Sequence, residues 1–235
     1  MNRSKILVLM LIIALASACA TANSTNKSEA YYKMGIAYLN ENKVQQAFVE
    51  FHKAYELAPH NKEILNAVGI IYLLHLEETN KAIEYFDKAV KEDPSYSEAY
   101  NNLGYAYEKL GSYEKAISYY RKALSNPLYQ TADKAYINMG NSYYRMGNYE
   151  AALQSYKEAV KRAPSSSLAY WRLALCFNAM GRYGDASTAV TQAVKLDPLY
   201  SGSAEKAIED LSLKRLSAKG SEEKDINDFL EILKY

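Results

Sequence analysis

The chain has 235 residues, with 28 Lys and Arg against 27 Asp and Glu, two cysteines and three histidines. Near-balanced charge excludes a strongly basic nucleic-acid surface and an acidic disordered tail, and two cysteines exclude a disulfide framework. Tyrosine is over-used, at 23 residues beside one Trp and five Phe; an apolar ring with a polar tip suits contact surfaces as well as cores.

The first element in chain order is a targeting segment, residues 1–18. Arg3 and Lys5 precede an uncharged run from Ile6 to Ala16, the pattern of an export signal. As a helix the run covers ~16 Å against the ~30 Å of a bilayer core, too short for a permanent span. Leu15-Ala16-Ser17-Ala18-Cys19 resembles the lipobox of bacterial lipoproteins, in which cleavage precedes the cysteine and the thiol is acylated. Ala16 stands where that family prefers Leu, and Ala16-Ser17-Ala18 also fits ordinary cleavage after an Ala-x-Ala sequence. The resemblance implies that Cys19 is the lipidated residue and that acyl chains hold the protein to a membrane; two or three chains anchor stably where one binds marginally. Ala20 replaces the Asp that retains such lipoproteins at the inner membrane, which implies the periplasmic face of the outer membrane. Residues 19–27 are expected to be the acylated cysteine and a small, polar, flexible tether.

The rest of the chain repeats itself. Tyr31-x2-Met34-Gly35, Leu65-x2-Val68-Gly69, Tyr100-x2-Leu103-Gly104, Tyr136-x2-Met139-Gly140 and Tyr170-x2-Leu173-Ala174 recur every 34 to 36 residues. Each is followed by an aromatic, then by Ala47, Ala82, Ala116, Ala152 or Ala186, then by Phe51, Phe86, Tyr120, Tyr156 or Val190, and a proline closes each unit. Intervals of three and four place these residues on one face of each of two helices. Small residues let the helices approach where they cross, and proline stops the second helix. Gly111, Gly147 and Gly181 fall where a left-handed residue commonly ends a helix. This pattern is identified as the tetratricopeptide repeat. It predicts an all-α, right-handed solenoid with repeats at 28–61, 62–96, 97–132, 133–166 and 167–200. Repeat two carries an extra residue between its helices, and repeat three carries two at its end. Residues 201–235 are expected to be capping helices or a degenerate sixth repeat, with stripes Ala204, Ala207, Ile208, Leu211 and Ile226, Phe229, Leu230, Leu233 broken around Gly220. The inner face of the last repeat needs such a cover.

No nucleophile–base pair, phosphate-cradling loop or metal-ligand cluster stands out. His52, His60 and His75 are dispersed, and Cys176 lies among apolar neighbours as an inert thiol. No enzyme, cofactor, nucleic acid or small-molecule substrate is expected. The family resemblance instead implies a concave groove lined by positions two, five, nine and twelve of each first helix. Carried onto this sequence, the candidate protein-binding residues are Tyr32, Ile36 and Leu39; Asn66, Ile70 and Leu73; Asn101 and Tyr105; Ile137, Asn141 and Tyr144; and Trp171 and Leu175. Glu108 occupies position twelve of the third repeat. Rings supply contact area and amides pair with peptide backbone.

A lipobox, a short tether and five repeats together resemble the type IV pilus pilotin family of lipoproteins. The most particular likeness is the long junction Asn126-Pro127-Leu128-Tyr129 ahead of Ala135-Tyr136-Ile137-Asn138-Met139-Gly140. The resemblance implies a partner, the pilus secretin subunit, which the protein would escort to the outer membrane and help to multimerise. The alternative is a repeat lipoprotein that docks cell-wall hydrolases or outer-membrane assembly factors.

Overall fold

The computed structural model describes residues 24–234. Among them are twelve helices and no strand: α1 (24–40), α2 (Val44–Leu57), α3 (Lys62–Leu74), α4 (Thr79–Glu92), α5 (Ser97–Lys109), α6 (Tyr113–Leu124), α7 (Ala132–Arg145), α8 (Tyr149–Arg162), α9 (Ser167–Ala179), α10 (Tyr183–Leu196), α11 (Ala204–Arg215) and α12 (Ser221–Ile232). The first ten pair as five helix–turn–helix repeats. The backbone divides into two compact units after Ala106. Cys19 and the expected cleavage site lie outside the described residues.

In the first unit, the core gathers Phe51, Ile64, Val68 and Ile71 with Ala47, Ala54 and Ala67. The repeat's Gly–aromatic pair explains why α1 crosses α2, and α3 crosses α4, so closely. A Cβ on Gly35 would meet the Phe51 ring at 2.5 Å, and one on Gly69 the Phe86 ring at 2.6 Å. The ring therefore packs against bare backbone, and burying each is worth about 2–3 kcal/mol. The last four residues of the expected tether are helical instead. Helix α1 includes residues 24–27, because Ser24 Oγ and Ser28 Oγ donate to the carbonyls of Leu57 and Ala54 at the end of α2. The Leu57 carbonyl is one that a helix terminus leaves unpaired, while the Ala54 carbonyl also accepts from Ala58 N–H.

Turns inside the repeats share one geometry. In repeats one, three, four and five, an N–H reaches back five residues to close the first helix, as in Lys43 to Tyr38, Ser112 to Tyr107, Asn148 to Tyr143 and Arg182 to Phe177. The residue before that donor is left-handed: Asn42 (φ 58°), then Gly111, Gly147 and Gly181 (φ 71–75°). Repeat two differs as its extra residue requires. Glu77 (φ 55°) takes the left-handed position, and Glu78 N–H reaches six residues back to the Tyr72 carbonyl.

In the second unit, α7 to α12 build a larger core. It joins Tyr156, Trp171, Leu175, Phe177 and Val190 of the repeats to Leu211 of α11 and Ile226, Leu230 and Ile232 of α12. The sequence predicts the stripe on α12, but not its direction of return. Helix α12 packs on α11 and folds back onto α9 and α10, the two helices of repeat five. The long junction between α6 and α7 is held by Asn126 Oδ1, which accepts from Leu128 N–H. That turn buries Tyr129 and leaves Leu128 84% exposed.

Candidate protein-binding site

The groove positions behave differently in the two units. In the first, Tyr32 is half-buried and tilted against Phe51 at 5.8 Å, and burial pushes its hydroxyl pKa up. Ile36 is 37% exposed, and Leu39, Ile70, Asn101 and Tyr105 are partly exposed. A cavity of about 250 Å³ beside Tyr32 is lined by Ser28, Glu29, Lys33, Asn61 and Ile64. Two candidates are not available to a partner. Leu73 is only 2% exposed, and Asn66 is buried with its Oδ1 accepting from Asn102 Nδ2 at 2.8 Å. Both are building elements of the unit.

In the second unit, most groove positions are covered. Ile137 packs with Ala159 and Ala169, and Asn141 Oδ1 accepts from the Tyr156 hydroxyl at 3.0 Å. Tyr144, Trp171 and Leu175 are buried in the same cluster as the apolar stripe of α12. The Phe229 ring meets Trp171 edge-on, with centroids 4.7 Å apart, and Tyr200 also meets it edge-on at 6.2 Å. Burial, reinforced by Asp228 and Asp225, drives the Tyr144 hydroxyl far above its ordinary pKa.

A charged cluster that the sequence pattern did not reveal lies on this face. Buried Asp225 of α12 accepts from Arg145 of α7 through both carboxylate oxygens, at 3.1 and 2.7 Å, and from Arg172 of α9 at 3.0 Å. Glu108, at the end of α5, accepts from the hydroxyls of Tyr120 (2.8 Å) and Ser142 (3.0 Å). Burial raises its pKa, partly opposed by those bonds and by the Arg172 and Arg145 charges. The missed signal was an aspartate on the apolar side of α12, at 225 beside Ile226 and Phe229, matched by arginines next to groove positions.

Elsewhere, chemistry-bearing residues are placed for structure. His52 is wedged edge-on against Phe48 at 4.4 Å, and burial lowers its pKa. His60 bonds Glu92 at 2.8 Å, and His75 ends α3. The buried Cys176 thiol donates to the Tyr149 carbonyl at 3.2 Å, and burial, aided by Glu150, pushes it up to about 12. No helix among the described residues is long and apolar enough to cross a membrane.

Paired helices, ring-on-glycine crossings and a shared turn now meet a sequence match. Residues 75–203, over half of the chain, match the family model described as the cilia and flagella-associated protein 70 C-terminal domain, and residues 32–97 match a tetratricopeptide repeat model. The chain belongs to this tetratricopeptide-repeat family. Among curated relatives, photosystem I assembly protein Ycf3 of Prochlorococcus marinus (strain MIT 9215) is 34% identical over 39% of this chain and 54% of that protein. Anaphase-promoting complex subunit 6 of Arabidopsis thaliana is 31% identical over 39% of this chain and 18% of that protein. The chain thus spans at most about half the length of these two relatives. Among solved structures, PilW, described as a widely conserved type IV pilus biogenesis factor, is 22% identical with a TM-score of 0.69, covering 87% of this chain and 90% of its own. Pseudomonas aeruginosa pilF is 20% identical with a TM-score of 0.65, covering 87% and 98%. These structures share the tetratricopeptide fold with this chain. Stacked repeats of this kind form the binding surfaces that such proteins use.

Proposed function

We propose that the protein is an outer-membrane lipoprotein that acts as a pilotin, binding a type IV pilus secretin subunit and promoting its ring-shaped multimer. The carrying observation is the layout of one chain: a lipobox-like segment ending at Cys19, then a tetratricopeptide domain with an extended junction at residues 126–131. Support also comes from PilW, described as a type IV pilus biogenesis factor, whose fold this chain shares over most of its length. In this role Cys19 commits the complex to one membrane. The first unit presents Tyr32, Ile36, Ile70 and Tyr105 to an aggregation-prone segment of the subunit. Leu73 and Asn66 keep that face in shape from beneath.

The test compares outer membranes of wild-type and deletion strains, run unheated on a gel and probed for the secretin. Loss of the high-mass band, restored by the wild-type gene and not by Cys19→Ala, is the expected result. An unchanged band rejects the pilotin role and leaves the hydrolase or assembly-factor scaffold, whose partners crosslinking would identify.

A further inference from the structure

The α7–α9 face already holds a helix, and that helix contacts it as a ligand would. Asp225 gives one carboxylate to two guanidiniums on successive first helices. Phe229, one turn further along α12, meets Trp171 at 4.7 Å. Ile226 and Leu230 complete the apolar row. A charged pin, an aromatic anchor and an i, i+4 spacing form the mode by which amphipathic helices dock in grooves.

Two further observations separate α12 from an ordinary cap. The fit at the pin is incomplete: Arg172 Nε is buried with no partner, and a space of about 370 Å³ lined by Arg145, Arg172, Lys214, Glu222 and Phe229 adjoins it. A buried guanidinium N–H without an acceptor is a cost that a second carboxylate would remove. The entry to α12 is also little constrained, although Ile226, Leu230 and Ile232 are buried. Helix α12 starts after Gly220 (φ 60°) with no side-chain cap, and the preceding connector is exposed from Leu216 to Ser217. Its solvent side carries exposed Glu222, Glu223, Lys224, Asn227 and Glu231.

We propose that the α7–α9 face is a binding site for an amphipathic helix of a partner protein, and that α12 is its built-in competitor. The partner helix presents one or two carboxylates to Arg145 and Arg172 and an aromatic ring, one turn on, to Trp171. Engagement exchanges α12 for that helix, so the two compete for one face. The proposal is independent of the pilotin role.

The test uses the full chain and a fluorescent synthetic peptide of residues 219–234. The variant Asp225→Ala/Phe229→Ala, in which the resident helix is weakened, is expected to bind the peptide at least ~10-fold more tightly than wild type. A peptide carrying the same two alanines should bind neither protein, and adding Arg145→Ala/Arg172→Ala should lower uptake at least ~10-fold. Equal uptake by wild type and variant, or none by a variant of unchanged helix content, overturns the proposal. If the variant does not fold, hydrogen exchange on wild type decides. Amides of α12 exchanging at least ~10-fold faster than those of α9 support displacement, and exchange of both helices together overturns it. Sizing separates the remaining occupant: a wild-type dimer that the peptide dissolves means a second copy docks its own α12, and overturns a foreign partner.

Discussion

The groove faces of α1 and α3 and those of α7 and α9 carry the same repeat positions, yet they are in opposite states. On the first, Ile36 is open to solvent and Tyr32 borders a cavity of about 250 Å³. On the second, Tyr144, Trp171 and Leu175 are buried with the stripe of α12. Position within a repeat therefore fixes which way a residue points. On α7 and α9 a segment outside the repeats covers Tyr144 and Trp171, whereas Leu73 is buried within the first unit and Ile137 among repeat alanines.

The comparison should fail to show any difference in the repeat cores, which is where the largest effects lie. Phe86→Ala in the first unit and Tyr156→Ala in the second each remove a fully buried ring set against a glycine. Each is expected to cost about 3–5 kcal/mol in urea denaturation. A far smaller loss for one of them would mean that its core is less well packed than the geometry implies.

The faces themselves should differ next. Asp225→Ala leaves two partly buried guanidiniums without their carboxylate, and about 2 kcal/mol should be lost, less than for a fully buried pair because both arginines retain some solvent. On α1, Glu29→Ala removes only an exposed pair with Lys33, and the melting midpoint should scarcely move. Equal effects from the two substitutions would erase the distinction between a covered and an open face.

A smaller, pH-dependent contrast sharpens the first unit. Hydrogen bonds from Lys62 and from the Ser95 hydroxyl and N–H hold the Asp93 carboxyl down at about 2. A carboxyl that is more acidic folded than unfolded stabilises above its unfolded value near 4, and the gain disappears as pH falls through about 2. After discounting for solvent, wild type should exceed Asp93→Asn by about 1 kcal/mol at pH 6. The gap should shrink toward zero at pH 2 in chemical denaturation. Smallest of all is the response of Cys176, whose thiol should react with alkylating reagents at pH 8 only after denaturation.

Much of the fold was legible because each repeat announces itself in residues with one physical task. The glycines at 35, 69 and 140 admit rings, the alanines at 47, 82 and 116 set helix separation, and Gly111, Gly147 and Gly181 take left-handed turns. Residues 24–27 resemble a tether because their polar side chains give no apolar period, yet Ser24 and Ser28 bond the end of α2. The candidate site was half legible. The family resemblance named the groove residues, but Leu73 and Asn66 are structural, and nothing in a local pattern could show that α12 folds back over residues 80 positions earlier, as Asp225 does on Arg145. That contact depends on charge complementarity between distant segments, which periodicity does not encode.

Trp171 is the chain's single tryptophan, and its indole touches the rings of Tyr200 and Phe229. The protein consequently carries its own optical gauge. Excited-state emission from that one indole shifts toward the red when water replaces a ring, so the colour of the light tells whether the last helix is seated. No dye, label or engineered residue is needed to watch it leave.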